Sequence, residues 1–176
     1  MVSVISLVDA FDPSGIDRAG EGRVAILDLL NNHPRPFDSR SFDPGHVTAS
    51  AVVLSRDRSQ LLLVYHRRLG RWLQPGGHVE PEDRNIIETA RREVLEETGI
   101  TLDESDSANL VGLDVHQIPA AGTEPFHLHH DLSFGFTTRT VEPCGSERAI
   151  WCAIDELDSY VVDEPLRSSL VKALTA

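Results

Sequence analysis

The sequence predicts an α/β protein: a mixed β-sheet with helices on its faces, preceded by a helical extension. Three observations carry that expectation. β-rich runs begin only after residue 45, amphipathic stretches of helical period interleave with them, and a polar, proline-containing segment separates them from a first helix.

The elements follow in order. Residues 20–31, Gly-Glu-Gly-Arg-Val-Ala-Ile-Leu-Asp-Leu-Leu-Asn, read as an amphipathic helix that ends near Asn32 and Pro34. The segment through Pro44 is rich in Pro, Asp and Ser and reads as a loop. Residues 1–45 are therefore expected to form a helical extension packed on a core of residues 46–176. Val47 to Leu54 and Leu61 to Tyr65, joined across Arg-Asp-Arg-Ser, have a hairpin pattern. Trp72-Leu73 and Gly76-Gly77 lead to a helix, the glycines read both as a tight turn that needs positive φ and as a place where the backbone closely approaches a ligand. Asn85 with Glu88 three residues on forms a capping box that starts it, and Gly99 caps its end. Leu110 to Ile118 and His127 to Thr138 read as longer strands, residues 148–153 as a further strand, and Pro165 to Leu174 as a closing helix with proline near its start.

Composition limits the classes of function. A chain of 176 residues forms one domain with an ordinary core, and no apolar run is long enough to span a membrane. The short apolar stretch at the N-terminus lacks a preceding basic region, so no signal peptide is expected. Cys144 and Cys152 are too few for a disulfide framework or a zinc site and read as reduced thiols of a cytoplasmic protein. The formal net charge of −12 argues against duplex nucleic acid as a partner, since such binders need a positive footprint. An acidic chain still accepts an anionic diphosphate where cations and local arginines supply positive charge. Of the 16 basic residues only Lys172 is a lysine, a skew that suits bidentate phosphate recognition but is better accounted for by genomic base composition.

The most informative stretch is residues 76–100. On its helical wheel Ile86, Ile87, Ala90 and Val94 form one apolar stripe. Glu93 and Glu97, spaced i,i+4, share a face bordering that stripe. Two carboxylates at a core boundary repel each other and lose hydration, and a divalent cation offsets both costs. Taken alone, Glu-Glu-Thr-Gly reads as the end of a solvated surface helix.

The flanking residues change that reading. Leu-Gln-Pro-Gly-Gly-His-Val-Glu-Pro, followed by Arg92, Glu93, Val94, Glu96, Glu97, Gly99 and Ile100, resembles the signature box of the Nudix hydrolases. The interval from Gly77 to Gly99 is one residue longer than the family pattern, and Asp83 stands where the first glutamate is expected. The insertion falls in the loop or first helical turn, so the carboxylates keep their mutual geometry. The resemblance implies a Nudix-like α/β/α sandwich and a pyrophosphohydrolase that uses Mg²⁺ or Mn²⁺. It implies metal ligands at Glu93, Glu97, Glu96 and the Gly77 carbonyl, and catalytic roles for Glu93, Glu96 and Arg92, the last orienting a carboxylate. Glu80 and Asp83 are candidates for outer-sphere or capping roles.

Further candidates lie outside the box. Arg67, Arg68 and Arg71 offer guanidinium groups for phosphate, or are surface arginines. Trp72 reads as a core aromatic beside the sheet rather than a base-stacking residue. His127, His129 and Asp131 project to one face of a strand and His130 to the other, giving either a polar wall of the cleft or groups that bind metal or substrate. Asp131 and Glu147 are candidates for an additional carboxylate from outside the box. The expected reaction is hydrolysis of a nucleoside diphosphate derivative: a nucleotide, a nucleotide sugar or a dinucleoside polyphosphate. Family resemblance adds a homodimer as an expectation. The alternatives are a nucleotide-binding sensor or partner-binding protein on the same scaffold, and an acidic α/β domain with neither activity.

Overall fold

The sheet is organised around one long strand, β1 (Gly45–Leu54), whose ten residues are all buried. In the computed structural model, which describes residues 3–14, 18–104, 106, 108–138 and 146–176, β1 pairs in parallel with β6 (His127–Thr137). Every other pairing is antiparallel, so the sheet is mixed: β6 continues to β5 (Asn109–Ile118), and β1 to β2 (Gln60–His66), β2 to β3 (Arg71–Leu73). The strand β7 (Ala149–Ala153) lies against β2. A short strand, β4 (Gly76–His78), shares an edge of β1 with β2 but at its other end, where Thr48, Ala49 and Ser50 face His78, Gly77 and Gly76.

Strand alternation sends successive β1 residues to opposite faces. Val47, Ala49, Ala51 and Val53 join Leu132, Phe134 and Phe136 of β6 in one core. The helices α2 (Ala19–Asn32) and α3 (Ile86–Thr98) close it through Ile26, Leu29, Ile86, Ala90 and Val94, with α1 (Val4–Ala10) adding Val8. On the other face Val52, Leu54, Leu61, Leu63 and Val111 meet Leu166, Leu170 and Ala173 of α4 (Glu164–Thr175). The result is the α/β/α sandwich expected of the sequence. Among the described residues no helix is long and apolar enough to cross a membrane.

Two expectations need correction, and one helix is added. Gly76 and Gly77 do not form a positive-φ turn; they are residues of β4 with extended backbone. Glycine is required there by close approach, because a Cβ on Gly76 would sit 2.6 Å from the Ser50 Cβ. Residues 4–10 form a helix without having shown a clear helical signal; Ser3 caps α1, and Arg23 Nε donates to the Val8 carbonyl (3.1 Å) to hold it against α2. The capping box is one-sided: the Asn85 side chain accepts from the Ile87 and Glu88 amides (3.0 and 3.1 Å), whereas the Glu88 carboxylate pairs with Arg84 at 3.1 Å and Arg91 at 3.6 Å. Cys144 lies outside the described residues; Cys152 is a buried free thiol.

Candidate active site

The α3 stripe of Ile86, Ala90 and Val94 is buried on the sheet, which brings the glutamates at the end of the helix against β4. Glu97 Oε2 accepts the Gly76 N–H at 3.1 Å. The Glu93 carboxylate lies over Gly77, where a Cβ would come within 2.6 Å of its Cδ. A glycine strand is thus what allows two half-buried carboxylates to approach the backbone. Glu96, one residue before Glu97, is more exposed.

Arg92 organises the group. It donates from Nη1 to Glu93 Oε1 (2.9 Å) and Glu96 Oε2 (3.2 Å), and from Nη2 to the His78 carbonyl (2.7 Å). Its Nε and Nη2 grip Asp83 bidentately, both at 3.1 Å. Asp83 also accepts the Glu80 amide (2.9 Å) and the Thr89 hydroxyl (2.8 Å), so it ties the loop to the helix. Burial pushes the Asp83 pKa up, but the bonds from Arg92, Glu80 and Thr89 outweigh it and hold the carboxyl below its usual range. Glu80 stands 4.0 Å from Arg92, at the edge of the network.

The box glutamates go the other way. Burial raises Glu97 to about 7 against the opposing Gly76 N–H, and the charge of Glu93 adds to the rise. Burial likewise raises Glu93, although Arg92 opposes it. Carboxylates held together out of water at that cost are suited to a hard divalent cation, whose charge replaces the lost hydration. The donor set of glutamate oxygens beside a backbone strand fits Mg²⁺ or Mn²⁺ chemically.

The other candidates fall in three places. Arg67 and Arg68 are exposed in the turn after β2, while Arg71 on β3 lies 3.8 Å from Asp163. Glu147 is exposed in the turn before β7, next to Arg148, whose charge lowers the Glu97 pKa. Trp72 packs between Tyr65 and Tyr160, with ring centroids 5.3 and 5.8 Å away, as a partly buried aromatic at the edge of the second core.

His127, His129 and Asp131 do share a face of β6, and the parallel register sets His46, Thr48 and Ser50 of β1 beside them. Asp131 is buried and accepts hydroxyl hydrogen bonds from Thr48 (2.8 Å), Ser50 (2.6 Å) and Ser133 (3.1 Å). His127 and His129 belong to a stack of imidazoles with His46 and His78, with centroids 4.9 to 5.2 Å apart between neighbours. Burial pushes His46 down to about 4 and His129 to about 2, so both rings are neutral at ordinary pH. His116 on β5 abuts His129 at 5.4 Å; burial lowers its pKa, but a 2.9 Å bond to Asp114 and the Asp131 charge prevail and raise it.

Sequence reasoning missed His46, His78, Thr48, Ser50 and Arg148 as members of this region. The signal for three of them was present: His46, Thr48 and Ser50 alternate as polar residues at the start of an otherwise apolar strand.

A mixed sheet between helical layers, with a carboxylate-bearing helix end set over a glycine strand, defines the class: the scaffold of a Nudix-type pyrophosphohydrolase. A model of the NUDIX domain matches residues 44–174, and the chain belongs to the NUDIX family. Among solved structures, the NUDIX domain of Shewanella oneidensis NrtR complexed with ADP ribose is similar with a TM-score of 0.56 and 16% identity, over 84% of this chain and 95% of that one. The E. coli dihydroneopterin triphosphate pyrophosphohydrolase gives 0.56 and 16%, over 74% of this chain and 96% of that one. The C. elegans Ap4A hydrolase gives 0.50 and 20%, over 73% and 95%. At these identities the likenesses show the fold. A comparison with curated proteins found no match.

Proposed function

We propose that the protein is a divalent-metal-dependent hydrolase of the pyrophosphate linkage in a nucleoside diphosphate derivative. The observation that carries this reading is the convergence of Glu93 and Glu97 on β4, under a network in which Arg92 joins Glu93, Glu96, Asp83 and the His78 carbonyl. Glu93, Glu96, Glu97 and the Gly77 carbonyl would hold Mg²⁺ or Mn²⁺. When bound, the ion supplies neutralisation of phosphoryl charge.

The chain's own residues do the rest. Arg92 fixes the rotamers of Glu93 and Glu96, so the carboxylates are set before substrate arrives and little reorganisation remains. Glu97, whose pKa lies near neutrality, exchanges a proton readily at working pH and must lose it for cation binding. Arg67, Arg68 and Arg71 supply donors for the distal phosphates, and the polar wall of His127, His129 and Asp131 bounds the substrate's other half, with Glu147 a further carboxylate at the rim.

In this reading the partner is a small anionic molecule rather than a nucleic acid duplex, in keeping with the net charge of −12. Residues 1–45 act as an extension of the core domain of residues 46–176, and a homodimer in the cytoplasm completes the proposal. The test is turnover: purified protein is incubated with a panel of nucleotides, nucleotide sugars and dinucleoside polyphosphates, with Mg²⁺ or Mn²⁺ and with chelator. Metal-dependent product release, lost in Glu97→Gln, supports the reading. Ligand-induced stabilisation without turnover of any of them would replace it with a sensor.

A further inference from the structure

We propose that His46, His127 and His129, with His78 beside them, form a second cation site that takes one transition-metal ion of the zinc class, distinct from the carboxylate site. The three imidazoles come from the two central strands, where the parallel register sets His46 opposite His129. Each offers one ligand nitrogen, and these atoms all lie within 4.8 Å of one another. His46 and His127 are almost wholly buried, with 0% and 3% exposure.

The tautomers are set for ligation. His46 Nδ1 donates to the Ser41 carbonyl at 3.1 Å and His127 Nδ1 donates to the Pro125 carbonyl at 2.9 Å. A carbonyl only accepts, so each ring carries its proton on Nδ1 and turns a bare Nε2 lone pair inward. Backbone carbonyls that fix imidazole orientation in this way are the usual outer partners of metal-bound histidine.

The inner nitrogens have the spacing of a coordination shell. His127 Nε2 and His129 Nε2 are 3.3 Å apart, and His78 Nε2 and His129 Nε2 are 3.4 Å apart. A tetrahedral ion with metal–nitrogen bonds of about 2.05 Å separates its ligands by about 3.3 Å. His129 Nε2 is common to both contacts and carries at most one proton, so at most one of them is a full hydrogen bond, and His46 Nε2 is buried and makes none. An orphaned lone pair in the interior is unfavourable unless something satisfies it, and a shared cation satisfies it and its neighbours together. Bringing the His46 nitrogen onto the same tetrahedron needs an approach of about 1.5 Å at most.

The donors decide the ion. Imidazole nitrogen suits Zn²⁺, Co²⁺, Ni²⁺ or Cu²⁺, whereas Mg²⁺ demands oxygen. The nearby carboxylate of Asp131 is already engaged by three hydroxyls, so the shell is nitrogenous. Occupancy would pin β4 to β1 and β6 through His78, one residue from Gly77 and bonded through its carbonyl to Arg92. The ion would thus brace the carboxylate site without belonging to it.

The experiment uses untagged, chelator-stripped protein titrated with Co²⁺ and then Zn²⁺ in the presence of millimolar Mg²⁺. The expected result is one equivalent of Co²⁺ with the intense visible bands of a four-coordinate nitrogen site, displaced by Zn²⁺. That binding should persist in Glu97→Gln and weaken roughly tenfold or more in His127→Gln and in His129→Gln. Circular dichroism checks that the variants fold, and the wild-type Co²⁺ spectrum stands independently of them. Absence of binding, the weak bands of a six-coordinate oxygen site, or binding lost in Glu97→Gln but kept in both histidine variants would overturn the proposal.

Discussion

Replacing Glu97 with glutamine should stabilise the metal-free protein while abolishing its response to Mg²⁺. The folded-state pKa of Glu97 is about 7 because the carboxyl is buried against β4 beside Glu93, whereas the ordinary value is 4.5. Ionising it in the folded protein therefore costs up to about 3 kcal/mol more than in the unfolded chain. The sign follows from proton counting. Between pH 4.5 and 7 the folded state holds a proton that the unfolded state releases, so this group makes stability fall as pH rises across that window, and the loss is complete above it. Glutamine keeps an oxygen to accept the Gly76 N–H and has no charge to desolvate. The variant should match wild type near pH 4 and exceed it progressively towards pH 8, by at most about 3 kcal/mol, or roughly 6–12 °C in melting temperature for a domain of this size. Thermal melts in chelator across that range measure the difference, and repeats in millimolar Mg²⁺ should raise the wild type but not the variant. A variant destabilised by the same amount at pH 5 and pH 8 would refute the reasoning, because the carboxylate would then be neither desolvated nor reserved for a cation.

Other substitutions probe the same frame. Arg92→Ala removes the cation that grips Asp83, Glu93 and Glu96; it should lower unfolding free energy by about 3 kcal/mol in urea titrations and reduce turnover at least 100-fold. Gly77→Ala places a methyl group on the Glu93 carboxylate; it should cost about 1–3 kcal/mol and weaken Mg²⁺ binding measured by calorimetry. Asn85→Ala deprives α3 of its N-terminal acceptor; the expected loss is about 1 kcal/mol in denaturant melts with the cation affinity unchanged. Phe134→Ala, in the core between β6 and the helices, should cost about 3–5 kcal/mol on the same assay.

Most elements were legible because they announce themselves locally. Asn85 before an apolar stripe and Gly99 after it marked α3, and alternation in residues 127–137 showed which histidines share a face. What stayed hidden depends on residues far apart in the chain. Nothing local in His46 reveals that it will face His129, because parallel register between β1 and β6 leaves no periodic trace. Gly76 and Gly77 misled for a related reason: glycine is read as a turn former, while here it is demanded by Ser50 and Glu93, which approach from other elements. The acidic pair was readable from i,i+4 spacing, yet Arg148, whose charge acts on Glu97, comes from the turn before β7, beyond any helical pattern.

The pairing of β1 with β6 also shapes how the molecule comes into being. Paired positions on the two strands lie 83 residues apart in the chain, and closing so long a loop precedes any reward from their ten pairings. Until β6 arrives, the apolar end of β1, Ala51 to Leu54, presents an unpaired edge, an invitation to pair with another chain. The central seam, with the still longer closure of β7 onto β2, thus makes assembly depend on non-local pairing, and until it closes the strand edges of a newly made chain are exposed to aggregation.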